Sequence, residues 1–153
     1  LMQKQLQAAW AQRAEGLPYT SASDALTMAS IVEKETGDPK ERPMIAGVFS
    51  NRLKIGMRLQ TDPTVIYGMG ASYKGNIRKV DLETDTLFNT YTRAGLPPHP
   101  IAMPGRAALM AATRPDATEA LYFVARGDGT HQFSKTLDEH NRAVARFQLR
   151  GRK

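Results

Sequence analysis

The sequence predicts an α+β domain, mostly helical and closed by a small antiparallel hairpin near its C-terminus. Three observations carry this expectation. Helix-forming runs with apolar residues three and four apart recur between residues 2 and 113. The strand signal is confined to LYFVAR and THQFS, separated by Gly127-Asp128-Gly129. The chain has 153 residues, 41% hydrophobic and 24% charged, the size and composition of one folded unit.

The first predicted helix covers residues 2–15, rich in helix formers, and stops at Gly16 before Leu17-Pro18. Residues 1–20 read as a linker or packing helix, and 1–153 as a single domain. Ser23 or Asp24 is placed to cap a second helix, whose run ALTMASIVEKE extends it to Glu35. A third spans Glu41 to Lys54, with Met44, Ile45, Val48, Phe49 and Leu53 as its buried stripe. Residues 56–80 are glycine-rich with little periodicity, although Asp62-Pro63 can open a short helix reaching Tyr67. Another short helix is expected over 81–92. GLPPHPIAMPG is a stiff loop, because each proline fixes its own φ and restricts its predecessor. A helix over 106–113, the hairpin and a last helix over 136–149 complete the chain. Leu137, Val144 and Phe147 are its inward candidates.

Composition narrows the function. A formal charge of +6 and a pI near 9.8 favour anionic partners. The basic residues are scattered, with no arginine-rich run, zinc-finger spacing or RNA-binding aromatic signature, so no nucleic-acid partner is expected. Without cysteine there is no disulfide, thiol nucleophile or thiolate metal site. No run approaches the length of a membrane span. The opening LMQKQLQAAW reads as a helix already under way, so the chain is expected to be part of a longer protein.

Chemistry concentrates on the second helix. At about 100° per residue, Glu33 and Glu35 fall on opposite shoulders of its apolar face, with Thr27 and Lys34 toward solvent. A carboxylate at such an edge is partly desolvated, which raises its pKa and suits it to act as an acid near neutrality. Periodicity does not choose between the two. The bland reading is an amphipathic helix with flanking acids. A second cluster, Leu59-Gln60-Thr61-Asp62-Pro63-Thr64-Val65-Ile66-Tyr67, gathers amide, hydroxyl, carboxylate and phenol groups of the kind that bind sugars. Asn89-Thr90-Tyr91 and the proline loop can add a wall. Asp62 is either a second glycosidase carboxylate or a helix cap before Pro63. His99, His131 and His140 lack metal-ligand spacing and read as structural or substrate-contacting. Ser30 lacks a nucleophile-elbow setting.

The strings ASIVEKET (29–36), VFSNRLKIGMRLQTDPTVIYGMG (48–70), FNTYTRAGLPP (88–98) and LYFVARGDGTHQFSKT (121–136) resemble the YceG-like, endolytic murein transglycosylase family over about residues 24–148. The resemblance implies a lysozyme-like α+β catalytic domain that cuts peptidoglycan glycan strands internally, without metal or organic cofactor. It breaks the tie between the glutamates in favour of Glu33 as the single acid that becomes the base. Glu35, Gln60, Asp62, Thr64, Tyr67, Asn89, Tyr91 and His131 lie in its motif segments and are expected to shape the groove and bind substrate. Asn51-Arg52 resembles an asparagine–arginine pair of related wall-lytic domains. The resemblance further implies an upstream transmembrane anchor in the bacterial inner membrane, a periplasmic catalytic domain, and contact with peptidoglycan synthases.

Overall fold

The computed structural model describes residues 2–149, with side chains through residue 147. The described residues contain seven α-helices, one two-stranded antiparallel sheet, a 3-10 turn and a π-helical turn, joined by irregular segments. The helices are α1 (Met2–Ala11), α2 (Ala22–Glu35), α3 (Arg42–Lys54), α4 (Asp62–Met69), α5 (Lys79–Glu83), α6 (Arg106–Thr113) and α7 (Leu137–Val144). The strands are β1 (Tyr122–Ala125) and β2 (His131–Ser134). The α+β expectation, helical with a late hairpin, matches this architecture.

Helix α2 is the centre of the domain, packed by α1, α3, α4 and α6. Its cap is Ser21, upstream of the predicted Ser23 or Asp24. Ser21 has extended backbone geometry, and its hydroxyl accepts the Asp24 amide at 3.1 Å. Asp24 instead sits in the first turn, where its charge complements the helix dipole. Thr27, expected in solvent, is buried. A helix surrounded on several sides has no free polar face, so a wheel drawn for one apolar stripe misplaces it. Thr27 remains satisfied by donating to the Ser23 carbonyl at 3.2 Å.

Helix α3 buries Ile45, Val48 and Phe49 as predicted, while Met44 and Leu53 are only half-buried. Gly47 occupies its middle because the Asp116 backbone passes overhead. A Cβ on Gly47 would lie 2.7 Å from the Asp116 carbonyl oxygen. Phe49 reaches Phe123 of β1 edge-on, with ring centroids 5.7 Å apart, and couples the helical body to the hairpin. Met28, Ile31, Ile45, Phe49, Leu59 and Leu109 are among the largest side chains of the shared core.

Three predicted boundaries differ. Helix α1 ends at Ala11, because the chain turns and the Ala14 amide donates to the Thr113 carbonyl at 2.8 Å, binding this segment to the end of α6. The helix expected over 81–92 is the short α5. Beyond it, the Asn89 side chain donates to the Leu82 and Thr84 carbonyls and accepts the Tyr91 amide, a local network that replaces helical bonding. The last helix passes from α7 into a π-helical turn, Ala145–Leu149. Leu137, expected inward, is 54% exposed.

Candidate active site

A cavity of about 600 Å³ opens between the C-terminal end of α2, the segment entering α4, the hairpin and α7. Its polar lining includes Glu35, Arg52, Gln60, Asp62, Tyr91, Tyr122, His131 and His140. Of the predicted site residues, the fold therefore brings five together here: Glu35, Gln60, Asp62, Tyr91 and His131.

Glu35 is the last residue of α2. The Thr61 hydroxyl donates to its Oε2 at 2.5 Å. Burial raises the Glu35 pKa; the Thr61 hydrogen bond pulls it down, the charge of Asp62 raises it, and His131 and Arg52 lower it. Desolvation is the largest of these effects, so the carboxyl holds its proton above the ordinary carboxylate range.

Glu33 lies elsewhere. Its Oε1 accepts the Gly105 amide at 2.6 Å and its Oε2 pairs with Arg42 at 3.3 Å. The Glu33 side chain is 27% exposed, the Arg42 side chain 14%. Gly105 is the N-cap of α6, so Glu33 places its charge at the positive end of that helix. A Cβ at Gly105 would come within 3.3 Å of Glu33 Oε1, a tight contact that the end of the Glu33 side chain would have to relieve. Glu33 does not line the cavity. The two glutamates thus part in the opposite sense from the expectation: Glu35 faces the cavity, while Glu33 ties α2 to α3 and α6.

The irregular segment before α4 supplies the adjoining wall. Gln60 has φ of 51°, the single non-glycine residue with positive φ among the described residues. This conformation costs energy for a residue with a Cβ and often accompanies function. Asp62 is the first residue of α4, and its side chain does not cap the helix. Its Oδ1 instead accepts the Tyr91 hydroxyl at 2.6 Å. Burial and then Asp62 raise the Tyr91 pKa, keeping the phenol a donor.

Three predicted substrate contacts stand behind or beside this wall. Thr64 is fully buried, bonded to the Thr61 carbonyl and to Thr90 at 2.8 Å each. Asn89 is buried in the turn network already described. Tyr67 is partly exposed in a ring cluster with Phe88 and His99, outside the cavity.

The opposite wall depends on the Asn51-Arg52 pair. Asn51 Nδ2 donates to the Thr118 and Ala120 carbonyls at 2.7 and 3.0 Å. Arg52 Nε donates to Leu121 at 2.7 Å, and its Nη1 to Arg58 and Leu59 at 3.1 and 3.0 Å. These bonds moor the approach to β1 onto α3. The Arg52 guanidinium lies 5.2 Å from the Tyr122 ring, and Tyr122 stacks on His140 at 5.0 Å. Burial and Arg52 lower the His140 pKa, so its ring is neutral near pH 7. His140, read from the sequence as structural or substrate-contacting, lines the cavity, whereas Tyr122, although inside the 121–136 motif segment, was not singled out as a site residue. Among the described residues, no cluster of three His, Cys, Asp or Glu side chains is arranged to hold a metal ion.

The YceG-like family profile matches residues 1–146. An endolytic murein transglycosylase of Bacillus subtilis (strain 168) is 47% identical over 127 residues, covering 83% of this chain and 35% of the relative. The chain belongs to the YceG-like family. A second endolytic murein transglycosylase, from Streptococcus pneumoniae serotype 2 (strain D39 / NCTC 7466), is 34% identical over 131 residues, 82% of this chain and 24% of the relative. A crystal structure of a YceG-like protein from Listeria monocytogenes superposes with a TM-score of 0.75 and 48% identity, covering 80% of this chain and 40% of that one. This YceG-like chain spans about a third or less of the curated relatives it matches.

Proposed function

We propose that this domain cleaves the β-1,4 bond between N-acetylmuramic acid and N-acetylglucosamine inside peptidoglycan glycan strands, with Glu35 as acid and then base. The observation that carries the reading is the desolvated Glu35 carboxyl facing a sugar-sized, polar cavity. The names of the relatives support the substrate class.

Protonated Glu35 donates to the glycosidic oxygen as the C1–O bond breaks, and the muramyl N-acetyl oxygen relieves charge at C1. The Glu35 carboxylate then removes the C6 hydroxyl proton, and O6 bonds to C1 to give a 1,6-anhydromuramyl end. Glu35 regains its proton, so no second carboxylate is required. Gln60, the Tyr91–Asp62 pair, Tyr122 and His131 orient the sugars. Glu33, which the family resemblance favoured, acts in this reading through the fold.

Peptidoglycan lies outside the cytoplasm, so the domain works on the outer face of the inner membrane, in the periplasm where one exists. It is held there by an upstream anchor and meets glycan strands near their synthases. No helix among the described residues is long and apolar enough to cross a membrane.

Asp62 supports a second reading, a muramidase that activates water, because its carboxylate faces the same cavity. Intact glycan strands digested by the parent, Glu35→Gln and Glu33→Gln proteins separate these possibilities by product mass. Anhydro ends, lost with Glu35→Gln and retained with Glu33→Gln, are the expected result. Predominantly reducing ends would establish hydrolysis, and cleavage surviving Glu35→Gln would overturn the assignment of the acid. Binding without any cleavage by the full-length parent protein would leave a wall-binding scaffold.

A further inference from the structure

Glu41 was not singled out from the sequence beyond opening α3. It occupies the N-cap position, yet its side chain makes no capping bond to that helix. Both carboxylate oxygens are committed 90 residues away. Oε2 accepts the His131 amide at 2.8 Å, and Oε1 lies 2.8 Å from His131 Nδ1. The pair is well shielded, with side chains 14% and 12% exposed for Glu41 and His131.

An ionised carboxylate only accepts hydrogen bonds, so Nδ1 must carry a proton to donate to it. In the neutral ring this leaves Nε2 without a proton, as an acceptor. Nε2 makes no hydrogen bond among the described residues, and the His131 side chain lines the Glu35 cavity. Phe123 meets the ring edge-on at 5.4 Å and limits its rotation.

We propose that Glu41 is a positioning residue: it fixes the tautomer and orientation of His131, so that Nε2 accepts a hydrogen bond from a hydroxyl of the sugar bound beside Glu35. This rests on the reading of the cavity as a glycan site. The backbone bond alone would serve to pin β2 to α3; the second bond, to Nδ1, is the one that selects a ring state.

The test combines spectroscopy and a double-mutant cycle on the full-length protein. Nitrogen-15 NMR of the neutral ring should show a protonated Nδ1 and a bare Nε2 at His131. A protonated Nε2 would overturn the proposal, whether or not any variant folds. With glycan strands as substrate, Glu41→Gln should lower kcat roughly tenfold, the scale of one well-made hydrogen bond. In a His131→Gln background, the same change should alter kcat by less than about twofold, because its route to the substrate is gone. Equal losses in both backgrounds would make Glu41 merely structural and sink the inference. The Glu35→Gln protein separates this from the parent reading. If it cleaves normally, the acid assignment falls while the tautomer result stands; if it is inactive while Glu41→Gln is fully active, only the present inference falls.

Discussion

The Thr61 hydroxyl donates to the Glu35 carboxylate across 2.5 Å, joining the end of α2 to the residue before α4. This bond opposes the burial that raises the Glu35 pKa. Thr61→Val keeps the buried shape and removes the donor. The Glu35 pKa should rise further, moving the alkaline limb of the kcat profile to higher pH. An unmoved limb in a folded variant would separate Thr61 from the acid.

Glu35 also makes stability depend on pH in a definite direction. Its folded pKa lies above its unfolded one, so between those values the folded state binds more protons, and stability falls as pH rises. Glu35→Gln can still accept the Thr61 hydrogen bond but cannot ionise. The variant should melt higher than the parent at pH 7, with the advantage shrinking below the ordinary carboxylate range. Melting curves at pH 3.5 and pH 7 check this, and gained stability with lost cleavage would be the mark of a functional carboxylate.

Glu33→Gln should behave oppositely. It loses the charge that faces Arg42 and the first turn of α6, at a cost of about 1–2 kcal/mol, while cleavage by the folded fraction persists. Gly105→Ala should produce a smaller loss of the same kind, because only the flexible end of Glu33 must give way. Thermal denaturation alongside specific activity reads both.

Gly47→Ala tests packing alone. Its Cβ would press on the Asp116 backbone, which cannot swing aside like a side-chain tip. The expected loss is about 1–3 kcal/mol, without any change in the pH profile.

Arg52→Lys should be costly despite keeping the charge. Lysine lacks the planar fork that reaches the Leu121, Arg58 and Leu59 carbonyls together. Stranding buried carbonyls costs about 1–3 kcal/mol. The hairpin should loosen first, seen as faster amide exchange in β1 and β2.

The long periodic helices and the GDG hairpin were legible because local pattern and tertiary burial agree there. Thr27 misled because four neighbouring helices enclose α2, which no single-face pattern records. The 81–92 segment misled because Asn89 bonds the surrounding backbone in place of a helix. At the site, Gln60, Asp62, Tyr91 and His131 were assigned to the groove through motif segments; Arg52 and Tyr122 lie in the same segments, but their stacking with each other and with His140 is visible only in the packed fold. Glu33 and Glu35 were equivalent on the wheel. What distinguishes them, Gly105 for one and Thr61 for the other, lies 72 and 26 residues away.

The cavity draws one wall from residues 35–91 and the other from residues 122–144. The moorings of the second wall to Glu41, Asn51 and Arg52 span 67 to 90 residues of chain. During synthesis, the N-terminal helices can therefore form before Glu35 has its low-dielectric surroundings. A chain cut short before residue 120 would lack the wall that the hairpin and α7 give the cavity, and would leave Glu35 more open to water.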